Sequence, residues 1–396
     1  MTEAPQPAIK AYVEKLCESG HRGTGTPEEA AAAAWLREKF EALGLETTVQ
    51  PFKTPPSLPF VVLSHLIIAL TGAAFIGCCP TLALLLIAFA TVSFVGEYTC
   101  RWHWLRPLLS RRESRNVIGR WRPERPKRTI VFSGHLDSAN QGLIFHPRLA
   151  RLTAEDKLGL GPLAPTILGL LLLLLVAIIV SFGGSGAFLT LLDWLGAIIL
   201  VISAVLMAEW MLGPFVPGAN DNASGVAAAL VLAERYMAEK PDDTEFYFIG
   251  FGAEEPNLVG AKAFLDEYGH RFDPESTYFI NFDGIAAHRV NVVTSEAVMI
   301  PQAYPDQELV VFARRQIRAE ERFRHIGVTG IKGHTDVLPF ALAGFKSLSL
   351  VAMDGWGIPI NYHTVNDHPA AMTYEQADLA LDFAQGLVQR IRQENG

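Results

Sequence analysis

The sequence predicts an α/β domain that is interrupted twice by hairpins of membrane-spanning helices. Of its 396 residues, 50% are hydrophobic and only 19% are charged, and the mean hydropathy is +0.23. This composition is too apolar for an ordinary soluble enzyme and indicates a membrane component. Between the apolar stretches, strand and helix patterns alternate, as they do in a layered α/β domain. The length exceeds one average domain and allows a large core.

The charge and the cysteines exclude several classes of protein. A net charge of −8 gives no overall affinity for nucleic acid. The cysteines are Cys17, Cys78, Cys79 and Cys100, and their spacing matches neither a zinc knuckle nor a disulfide framework. Residues 1–50 lack a charged and then apolar leader, so we expect no secretory signal and a chain that begins in the cytoplasm.

Residues 1–57 are predicted to form the first part of the soluble domain. Ala8–Cys17 has the pattern of a short amphipathic helix. Thr26 precedes a proline and two acids, which is typical of a helix N-cap, and this helix is expected to run to Leu43. Leu45–Phe52 alternates like a strand. The domain therefore starts as helix, helix, strand.

Residues 58–99 are predicted to form the first membrane hairpin. Leu58–Cys79 carries no charge except that available to His65, and Thr81–Gly96 is uncharged. Pro80 separates the two segments without a polar connector, which favours a pair of membrane helices over a buried globular helix. We expect His65 to pack inside the hairpin rather than to bind a ligand.

Residues 161–212 are predicted to form the second membrane hairpin. Residues 158–208 carry a single charged side chain, that of Asp193. The two helices are expected at Leu163–Phe182 and Ala187–Met211. Asp193 lies near the outer end of its helix, where we expect it to reach the membrane interface rather than to mark a polar pathway.

The distribution of basic residues predicts the orientation in the bilayer. The connector at the tip of the second hairpin, Gly183–Gly186, has no Lys or Arg, whereas many basic residues follow the first hairpin. These are Arg101, Arg106, Arg111, Arg112, Arg115, Arg120, Arg122, Arg125, Lys127 and Arg128. Basic residues stay on the cytoplasmic side, so we expect a multi-pass protein whose soluble domain faces the cytoplasm. A nucleic-acid patch is the alternative, but anchoring to the lipid bilayer explains the cluster without a further partner.

Residues 100–160 and 213–396 are predicted to complete the soluble domain. The expected strands are Asn116–Trp121, Thr129–Ser133, Glu245–Phe251, Ser276–Phe282, Val290–Thr294 and Lys346–Val351. The expected helices are Val226–Met237, Leu258–Tyr268, Asp306–Ala319 and Tyr374–Gln393.

Several acids and histidines are expected at or just after strand ends, where α/β enzymes place their sites. They are His135, Asp221, Glu255, Asp283 and His363. Two imidazoles and three carboxylates from separate loops suit two divalent ions with one bridging carboxylate. Any one of these residues taken alone is as easily explained as a helix cap or a surface charge.

Two further acids adjoin the candidate ligands. Glu254 precedes Glu255 and is not among the candidate metal ligands. A carboxylate that lies beside two metal ions without binding them is what general-base activation of a metal-bound water requires. Asp137 lies two residues after His135, where it either orients the imidazole or serves only as a turn acid.

Several motifs occur in an order found in a known family. They are Gly23-Thr24-Gly25, Ala30–Phe52, Arg115-Asn116-Val117-Ile118-Gly119, Gly134-His135-Leu136-Asp137-Ser138, Gly218-Ala219-Asn220-Asp221-Asn222-Ala223-Ser224-Gly225, Gly252-Ala253-Glu254-Glu255 and Tyr362-His363-Thr364. Together they resemble the co-catalytic dizinc aminopeptidases of peptidase family twenty-eight, which also contains glutamate carboxypeptidases and glutaminyl cyclases. The resemblance covers nearly all of the soluble sequence and none of the hairpins.

The resemblance implies a three-layer α/β/α zinc-exopeptidase domain with a mixed central sheet and two zinc ions, although other divalent metals also fit. By this resemblance His135 and Asp283 hold one ion, Glu255 and His363 hold the other, and Asp221 bridges them. Glu254 is then the base that takes a proton from the bridging water and passes it to the leaving amine.

The resemblance also implies supporting residues. Asp137 would hold His135, and Tyr362 would help to stabilise the oxyanion. The family's Ser-Asp-His before Pro-Phe appears as Thr335-Asp336-Val337, so Asp336 is kept as a supporting acid while the missing histidine leaves the role of this loop open.

We therefore expect a membrane-anchored zinc exopeptidase, with an aminopeptidase as the first choice and a peptide or amide as its substrate. The second hairpin is spliced between the loops of His135 and Asp221, so the catalytic crevice is expected close to the membrane. The alternatives are a glutaminyl-cyclase-like enzyme with one zinc, a hydrolase of acyl-amino acids or lipid-linked amides, and a catalytically inactive membrane scaffold or receptor.

Overall fold

A computed structural model of the chain describes residues 8–154, 163–298, 300–303 and 308–394. The strands are β1 (Glu46–Thr54), β2 (Arg112–Trp121), β3 (Arg128–His135), β4 (Thr244–Phe251), β5 (Thr277–Asp283), β6 (Arg289–Val298), β7 (Ile300–Ala303), β8 (Gly327–Ile331) and β9 (Lys346–Met353). The α-helices are α1 (Ala8–Cys17), α2 (Pro27–Ala42), α3 (Leu58–Phe75), α4 (Pro80–Tyr98), α5 (Arg106–Leu109), α6 (Pro147–Ala154), α7 (Ala164–Ser181), α8 (Ala187–Leu212), α9 (Ser224–Glu239), α10 (Val259–Tyr268), α11 (Glu308–Ala319), α12 (Leu338–Leu342) and α13 (Tyr374–Glu394). The helix start predicted at Asp306 and the segment boundary predicted at residue 160 lie outside the described residues.

The strands form one mixed nine-stranded sheet in the order β1-β2-β4-β3-β5-β9-β6-β7, with β8 paired to β6. The central strands β4, β3, β5 and β9 run parallel to one another, whereas β2 and β6 run antiparallel to their neighbours in this central group. Every residue of β4 and β9 is buried, as expected for strands that are covered on both faces. The carboxyl ends of the parallel strands therefore meet at one edge of the sheet.

Helices cover both faces of the sheet. One face packs against α1, α2, α9, α11 and α13 in a large apolar core that contains Phe40, Phe132 and Leu381. The other face packs against α10 and α12 around Phe264, Phe279 and Phe340. The predicted three-layer α/β/α domain with a mixed sheet is confirmed.

The predicted cap of α2 shows how local sequence sets an element of this domain. The Thr26 hydroxyl accepts a hydrogen bond from the backbone N–H of Glu29, Pro27 takes the first helical position, and Gly44 follows the helix in a left-handed conformation. These features start and end a helix by satisfying backbone groups that have no intrahelical partner.

The four apolar segments form α3, α4, α7 and α8, which contain 18, 19, 18 and 26 residues. Each helix is long and apolar enough to cross a membrane. Helix α3 packs against α4 and α8, and α7 packs against α4 and α8, so the two hairpins form a four-helix bundle. Leu168, Leu171 and Val205 are exposed on its outer surface. An apolar outer surface of this kind is typical of helices that contact lipid.

His65 lies inside this bundle rather than on its surface. Its side chain is fully buried, with Nε2 at 2.9 Å from the hydroxyl oxygen of Ser93 and Nδ1 at 2.8 Å from the carbonyl oxygen of Val61. His65 therefore joins α3 to α4 as a packing residue, as expected from the sequence.

The two hairpins enter the domain at different connections. Helices α3 and α4 lie between β1 and β2, and α7 and α8 lie between β3 and β4. Each hairpin leaves the domain and returns to it, so one end of every helix in the bundle faces the sheet domain.

The strands β7 and β8 and the short helices α5, α6 and α12 were not predicted. Strand β8 shows why, because Gly327 and Gly330 occupy two of its five positions. A strand with so few side chains carries no alternating apolar pattern, and its pairing with β6 defines it instead.

Candidate metal centre

His135 begins the first group of metal-binding side chains. It is the last residue of β3 and is buried, and its Nε2 lies 3.0 Å from Oδ1 of Asp221 and 3.8 Å from Oδ1 of Asp283. Asp283 is the last residue of β5, the neighbouring parallel strand. One ligand atom from each of these three residues lies within 4.8 Å of the others. The edge formed by the parallel strands therefore brings these predicted residues together.

His363 lies at the centre of a second group of candidate metal ligands, on the other side of Asp221. Its Nε2 lies 3.3 Å from Oδ2 of Asp221 and 3.3 Å from Oε2 of Glu255. The two carboxylate oxygens of Asp221 thus face different histidines, with Oδ1 toward His135 and Oδ2 toward His363. Asp221 is the side chain that the two groups share.

The segment around Asp221 does not follow a strand, so that part of the sequence prediction is wrong. It follows α8 through residues 213–218 and forms an irregular turn, Ala219–Ala223, directly before α9. Phe215 makes only an isolated bridge with Asn140, because the chain that returns from the bundle meets the domain outside the sheet. The peptide bond between Asp221 and Asn222 is cis.

The side chain of Asp367 binds the backbone of this turn. Its two carboxylate oxygens accept hydrogen bonds from the backbone N–H groups of Asn220 at 2.8 Å and Asp221 at 3.0 Å. Burial raises the pKa of the Asp367 carboxyl to about 7, and the two N–H groups oppose this increase. The sequence did not identify Asp367.

Gly134 allows the loops of His135 and Asp221 to approach each other. A Cβ atom at Gly134 would lie 2.6 Å from the carbonyl carbon of Gly225 and 2.8 Å from the backbone nitrogen of Val226. Any larger residue would push the start of α9 away from the end of β3. The glycines in these two motifs are therefore explained by backbone contact.

Asp137 organises the turn that carries Glu254 and Glu255. Its Oδ1 accepts a hydrogen bond from the backbone N–H of Glu254 at 2.9 Å, and its Oδ2 accepts one from that of Glu255 at 3.2 Å. The hydroxyl of Thr24 donates a third at 2.7 Å. Oδ1 also lies 3.5 Å from Nδ1 of His135. Asp137 thus contacts both the histidine at the end of β3 and the turn after β4.

Glu254 lies beside the two groups and faces His135. One oxygen of Glu254, one of Glu255 and one ring nitrogen of His135 lie within 4.8 Å of one another. Burial raises the pKa of Glu254 well above its usual range, and the carboxylates of Glu255 and Asp336 raise it further. A carboxylate with a raised pKa is a stronger base than an ordinary one.

The charges of the centre act strongly on its other titratable groups. Burial alone would lower the pKa of His135, but the carboxylates of Asp137 and Asp221 raise it well above the usual value. Burial alone would raise the pKa of Asp221, but its contacts with His135 and His363 lower it. Burial raises the pKa of Glu255, and the nearby Asp221 carboxylate adds to this effect.

Buried atoms without hydrogen-bond partners test whether these residues fit metal ions. Among the described candidate ligands, Glu255 has a buried oxygen, Oε1, that makes no hydrogen bond. Leaving a buried carboxylate oxygen unsatisfied is costly unless a cation compensates it. Carboxylate oxygens and imidazole nitrogens are the ligands that zinc accepts. The donor set therefore fits divalent metal ions.

Aromatic rings enclose His363. The ring of Tyr362 stacks on the imidazole with 3.9 Å between centroids, and the ring of Phe145 meets it edge-on at 4.3 Å. Burial raises the pKa of the Tyr362 phenol, and the carboxylates of Asp221 and Glu255 add to the shift. The phenol therefore stays protonated and able to donate a hydrogen bond.

The predicted site residues open into one cavity of about 460 Å³. A cavity of this size holds a small ligand. The residues of the prediction that line it are His135, Asp221, Glu254, Glu255, Asp283, Tyr362 and His363. Asp137 and Asp336 lie behind this lining and are fully buried.

The sequence profile of peptidase family M28 matches residues 204–387, which include Asp221, Glu254, Glu255, Asp283 and His363. The chain carries a peptidase M28 domain. This finding agrees with the family resemblance that the motifs indicated.

Two curated relatives of the chain are proteases. The chain is 29% identical over 182 residues to the aminopeptidase YwaD of Bacillus subtilis, covering 44% of this chain and 38% of that protein. It is 42% identical over 154 residues to the vacuolar membrane protease of Schizosaccharomyces japonicus, covering 38% of this chain and 17% of that protein. The chain thus spans well under half the length of either relative.

The fold of the chain is similar to that of a solved aminopeptidase. The structure of BSAP, a zinc aminopeptidase from Bacillus subtilis, superposes with a TM-score of 0.59 at 16% identity, covering 98% of this chain and 96% of that one. This likeness establishes the α/β fold of the domain.

Arg22 is a supporting residue that the sequence did not reveal. Its fully buried guanidinium donates hydrogen bonds to the carbonyl oxygens of Leu136, Pro217 and Gly218, each at 2.8 Å. It thereby joins the His135 loop to the chain leading into the Asp221 turn. The sequence offered one indication of its importance, since Arg22 directly precedes the Gly23-Thr24-Gly25 motif. That motif does not predict where the arginine side chain points.

Proposed function

We propose that the protein is a membrane-anchored, metal-dependent exopeptidase of the aminopeptidase type, which hydrolyses N-terminal peptide bonds. The observation that carries the proposal is the position of Asp221. Its two oxygens face two separate groups of ligands, and Glu254 stands beside both. An arrangement of this kind suits a pair of metal ions with an unbound carboxylate at hand.

The metal ligands divide into two sets around the shared acid. His135 and Asp283 would hold one zinc ion, and Glu255 and His363 would hold the other. Asp221 would contact both ions. Zinc bound there would act as a Lewis acid toward the carbonyl group of the scissile bond.

Glu254 serves as the general base in this proposal. Its carboxylate takes a proton from the attacking water and returns it to the amine that leaves. The raised pKa of Glu254 makes its carboxylate a stronger base toward the water. The hydrogen bond from its backbone to Asp137 fixes the base relative to His135.

Tyr362 supports the developing negative charge. Its phenol lines the cavity next to His363 and, because its pKa is raised, remains a hydrogen-bond donor. A donor aimed at the carbonyl oxygen stabilises the tetrahedral intermediate more than the substrate. Asp137 orients the turn of Glu254 and Glu255 through its hydrogen bonds, and the charge of Asp336 raises the pKa of Glu254.

The four apolar helices support a location in the membrane, because each is long and apolar enough to cross one. In this proposal the sheet domain faces the cytoplasm, because the basic residues after α4 lie at the same end of the bundle as the domain. The vacuolar membrane protease among the relatives supports an association with membranes.

Replacing Glu254 tests the catalytic proposal. The purified Glu254→Gln variant should keep its metal content by elemental analysis, yet lose hydrolysis of an aminoacyl amide by roughly two to four orders of magnitude. Glu275→Gln changes an exposed acid in the same way and should behave like the unmodified protein. Unchanged activity of Glu254→Gln would remove the proposed base.

Metal analysis of the same samples distinguishes the exopeptidase from a second candidate, a glutaminyl cyclase. A ratio near two ions per chain supports the dimetal exopeptidase. A ratio near one, together with formation of pyroglutamate from an N-terminal glutamine, would favour a glutaminyl cyclase.

A further inference from the structure

The domain-side ends of all four apolar helices reach the cavity of the metal centre. Leu58 is the first residue of α3, and Tyr98 is the last residue of α4. Leu163 directly precedes α7, and Trp210 lies in the last turn of α8. These four residues line the same cavity as His135 and its partners. The cavity is therefore shared between the sheet domain and the bundle.

Among the described residues, those that line the cavity toward the bundle are uncharged. We call this part of the lining the membrane-side wall, and it consists of Leu58, Tyr98, Ile144, Phe145, Ala150, Leu163 and Trp210. Tyr98 and Trp210 each carry one polar atom, and Trp210 directs its indole N–H to the backbone carbonyl of Asn140 at 3.1 Å. The wall thus presents a mainly apolar surface beside the metal ligands.

This wall is continuous with the interior of the bundle. Ile144, Leu163 and Trp210 belong to the same packed apolar cluster as the buried residues of α3, α4 and α7. Phe145 meets Trp210 edge-on with 4.9 Å between ring centroids and then contacts His363 at 4.3 Å. Contacting apolar side chains therefore lead from the bundle to a metal ligand.

A peptide with charged side chains is a poor match for this wall. Burying a charge against it would carry a large desolvation cost, whereas burying a hydrocarbon chain is favourable. The volume of about 460 Å³ leaves room for such a chain beside one aminoacyl group. In an aminopeptidase the α-amine lies among the carboxylates, so the rest of the substrate extends on the leaving side.

We propose that the membrane-side wall is a subsite for the alkyl chain of an amphiphilic amide, in which an amino acid is joined through its carboxyl group to a long-chain amine. The substrate would reach the metal centre from the bilayer. Water adds across the C–N bond, which releases the free amino acid and the alkylamine. The inference rests on the proposed function and assigns that function a class of substrate.

A series of leucyl alkylamides from leucyl-ethylamide to leucyl-dodecylamide tests the subsite in the full-length protein. Each methylene that enters the wall should raise kcat/KM by roughly three- to fourfold until the wall is filled. A dodecyl chain that ends in a carboxylate should lose most of this gain, because its charge cannot enter the wall. This comparison requires no change to the protein.

A matched pair of variants tests whether the dependence of kcat/KM on chain length arises at the membrane-side wall. Ala150→Trp would fill the wall and should reduce the ratio of kcat/KM between the dodecyl and ethyl substrates by about tenfold or more. Leu149→Trp adds the same bulk at the adjacent exposed position outside the cavity and should keep the ratio of the unmodified protein. Because both variants are measured in the same detergent, differences in substrate partitioning cancel.

The outcomes separate the two proposals. Hydrolysis of every amide at the same kcat/KM would overturn the alkyl subsite and leave the exopeptidase standing. An unchanged ratio in folded Ala150→Trp, or full activity on the carboxylate-tipped chain, would also overturn the subsite. Failure to hydrolyse any amide, including the shortest, would contradict the proposed function itself.

Discussion

The side-chain amide of Asn257 donates a hydrogen bond of 2.6 Å to the backbone carbonyl of Glu97. Glu97 lies in the last turn of α4, and Asn257 lies two residues after Glu255. Arg106 strengthens this link, since its guanidinium binds the Glu97 carboxylate and donates to the carbonyl oxygen of Asn257 at 3.0 Å. All three residues are buried. The end of an apolar helix is thus connected directly to the turn that carries the proposed base.

Asn257→Gly should weaken this connection without straining the backbone. The residue has a positive φ of 79°, which glycine adopts freely, so only the side-chain hydrogen bonds are lost. Leaving buried partners unsatisfied costs about 1–3 kcal/mol, and we expect kcat to fall by roughly tenfold while metal content stays constant. Steady-state kinetics and elemental analysis measure both quantities.

Lys240→Gly is the matched control for that variant. Lys240 also has a positive φ, of 49°, but it caps the end of α9 away from the cavity. It should retain full kcat. Equal kcat in Asn257→Gly and Lys240→Gly would show that the link to α4 does not position the base.

Substitutions of two aspartates should change the metal content by different amounts. Asp221 contacts both histidines, whereas Asp283 lies near His135 alone. Asp283→Asn is therefore expected to lose about one ion per chain and Asp221→Asn about two, as measured by elemental analysis after dialysis. Asp273→Asn, an exposed acid outside the centre, should lose none. Equal losses in the two site variants would contradict a bridging role for Asp221.

Arg22→Met should destabilise the fold while keeping much of the side-chain volume. The substitution leaves several buried carbonyl oxygens without a donor, among them those of Leu136 and Gly218. We expect a loss of about 3 kcal/mol or more and a clear decrease in Tm. Arg37→Met removes an arginine from an exposed ion pair with Glu41 and should change Tm little. Similar Tm values for the two variants would refute the structural role of Arg22.

The cysteines already present report the orientation of the bundle. Cys78 and Cys79 are free and exposed at the connection between α3 and α4, whereas Cys100 is buried. If the domain faces the cytoplasm, an impermeant maleimide added to intact cells should label Cys78 and Cys79, and the double change to serine should abolish labelling. Labelling only after permeabilisation would reverse the proposed orientation.

Most of the domain could be predicted because its signals are local. Strand β4 is a short run of apolar residues, α2 carries its own cap, and the apolar helices are uncharged over long stretches. Two of the candidate ligands could also be predicted. His135 and Asp283 end adjacent parallel strands, so the sheet itself brings them together. Periodicity and strand polarity were sufficient for these features.

The remaining features depend on contacts between distant parts of the chain. Arg22 and Asn257 act through carbonyl groups more than a hundred residues away in sequence, and no local pattern encodes such pairs. The turn at Asp221 was assigned to a strand end, yet the returning α8 delivers it instead. Its position is set by Arg22, Asp367 and the contact at Gly134, which only the folded chain reveals.

The two separate insertions determine how the domain can move. A domain suspended from a single helix could swing about its tether, but here the polypeptide passes between sheet and bundle at both insertions. The backbone N–H of Gln141, shortly after β3, donates a hydrogen bond of 2.8 Å to the carbonyl oxygen of Pro214, just after α8, and so joins the two chain segments that leave and re-enter the domain at the second insertion. If the apolar helices span a bilayer, these two connections would limit rotation of the domain, and the distance from the metal centre to the bilayer would then vary little. An enzyme built in this way would select its substrates by their depth as well as by their chemistry.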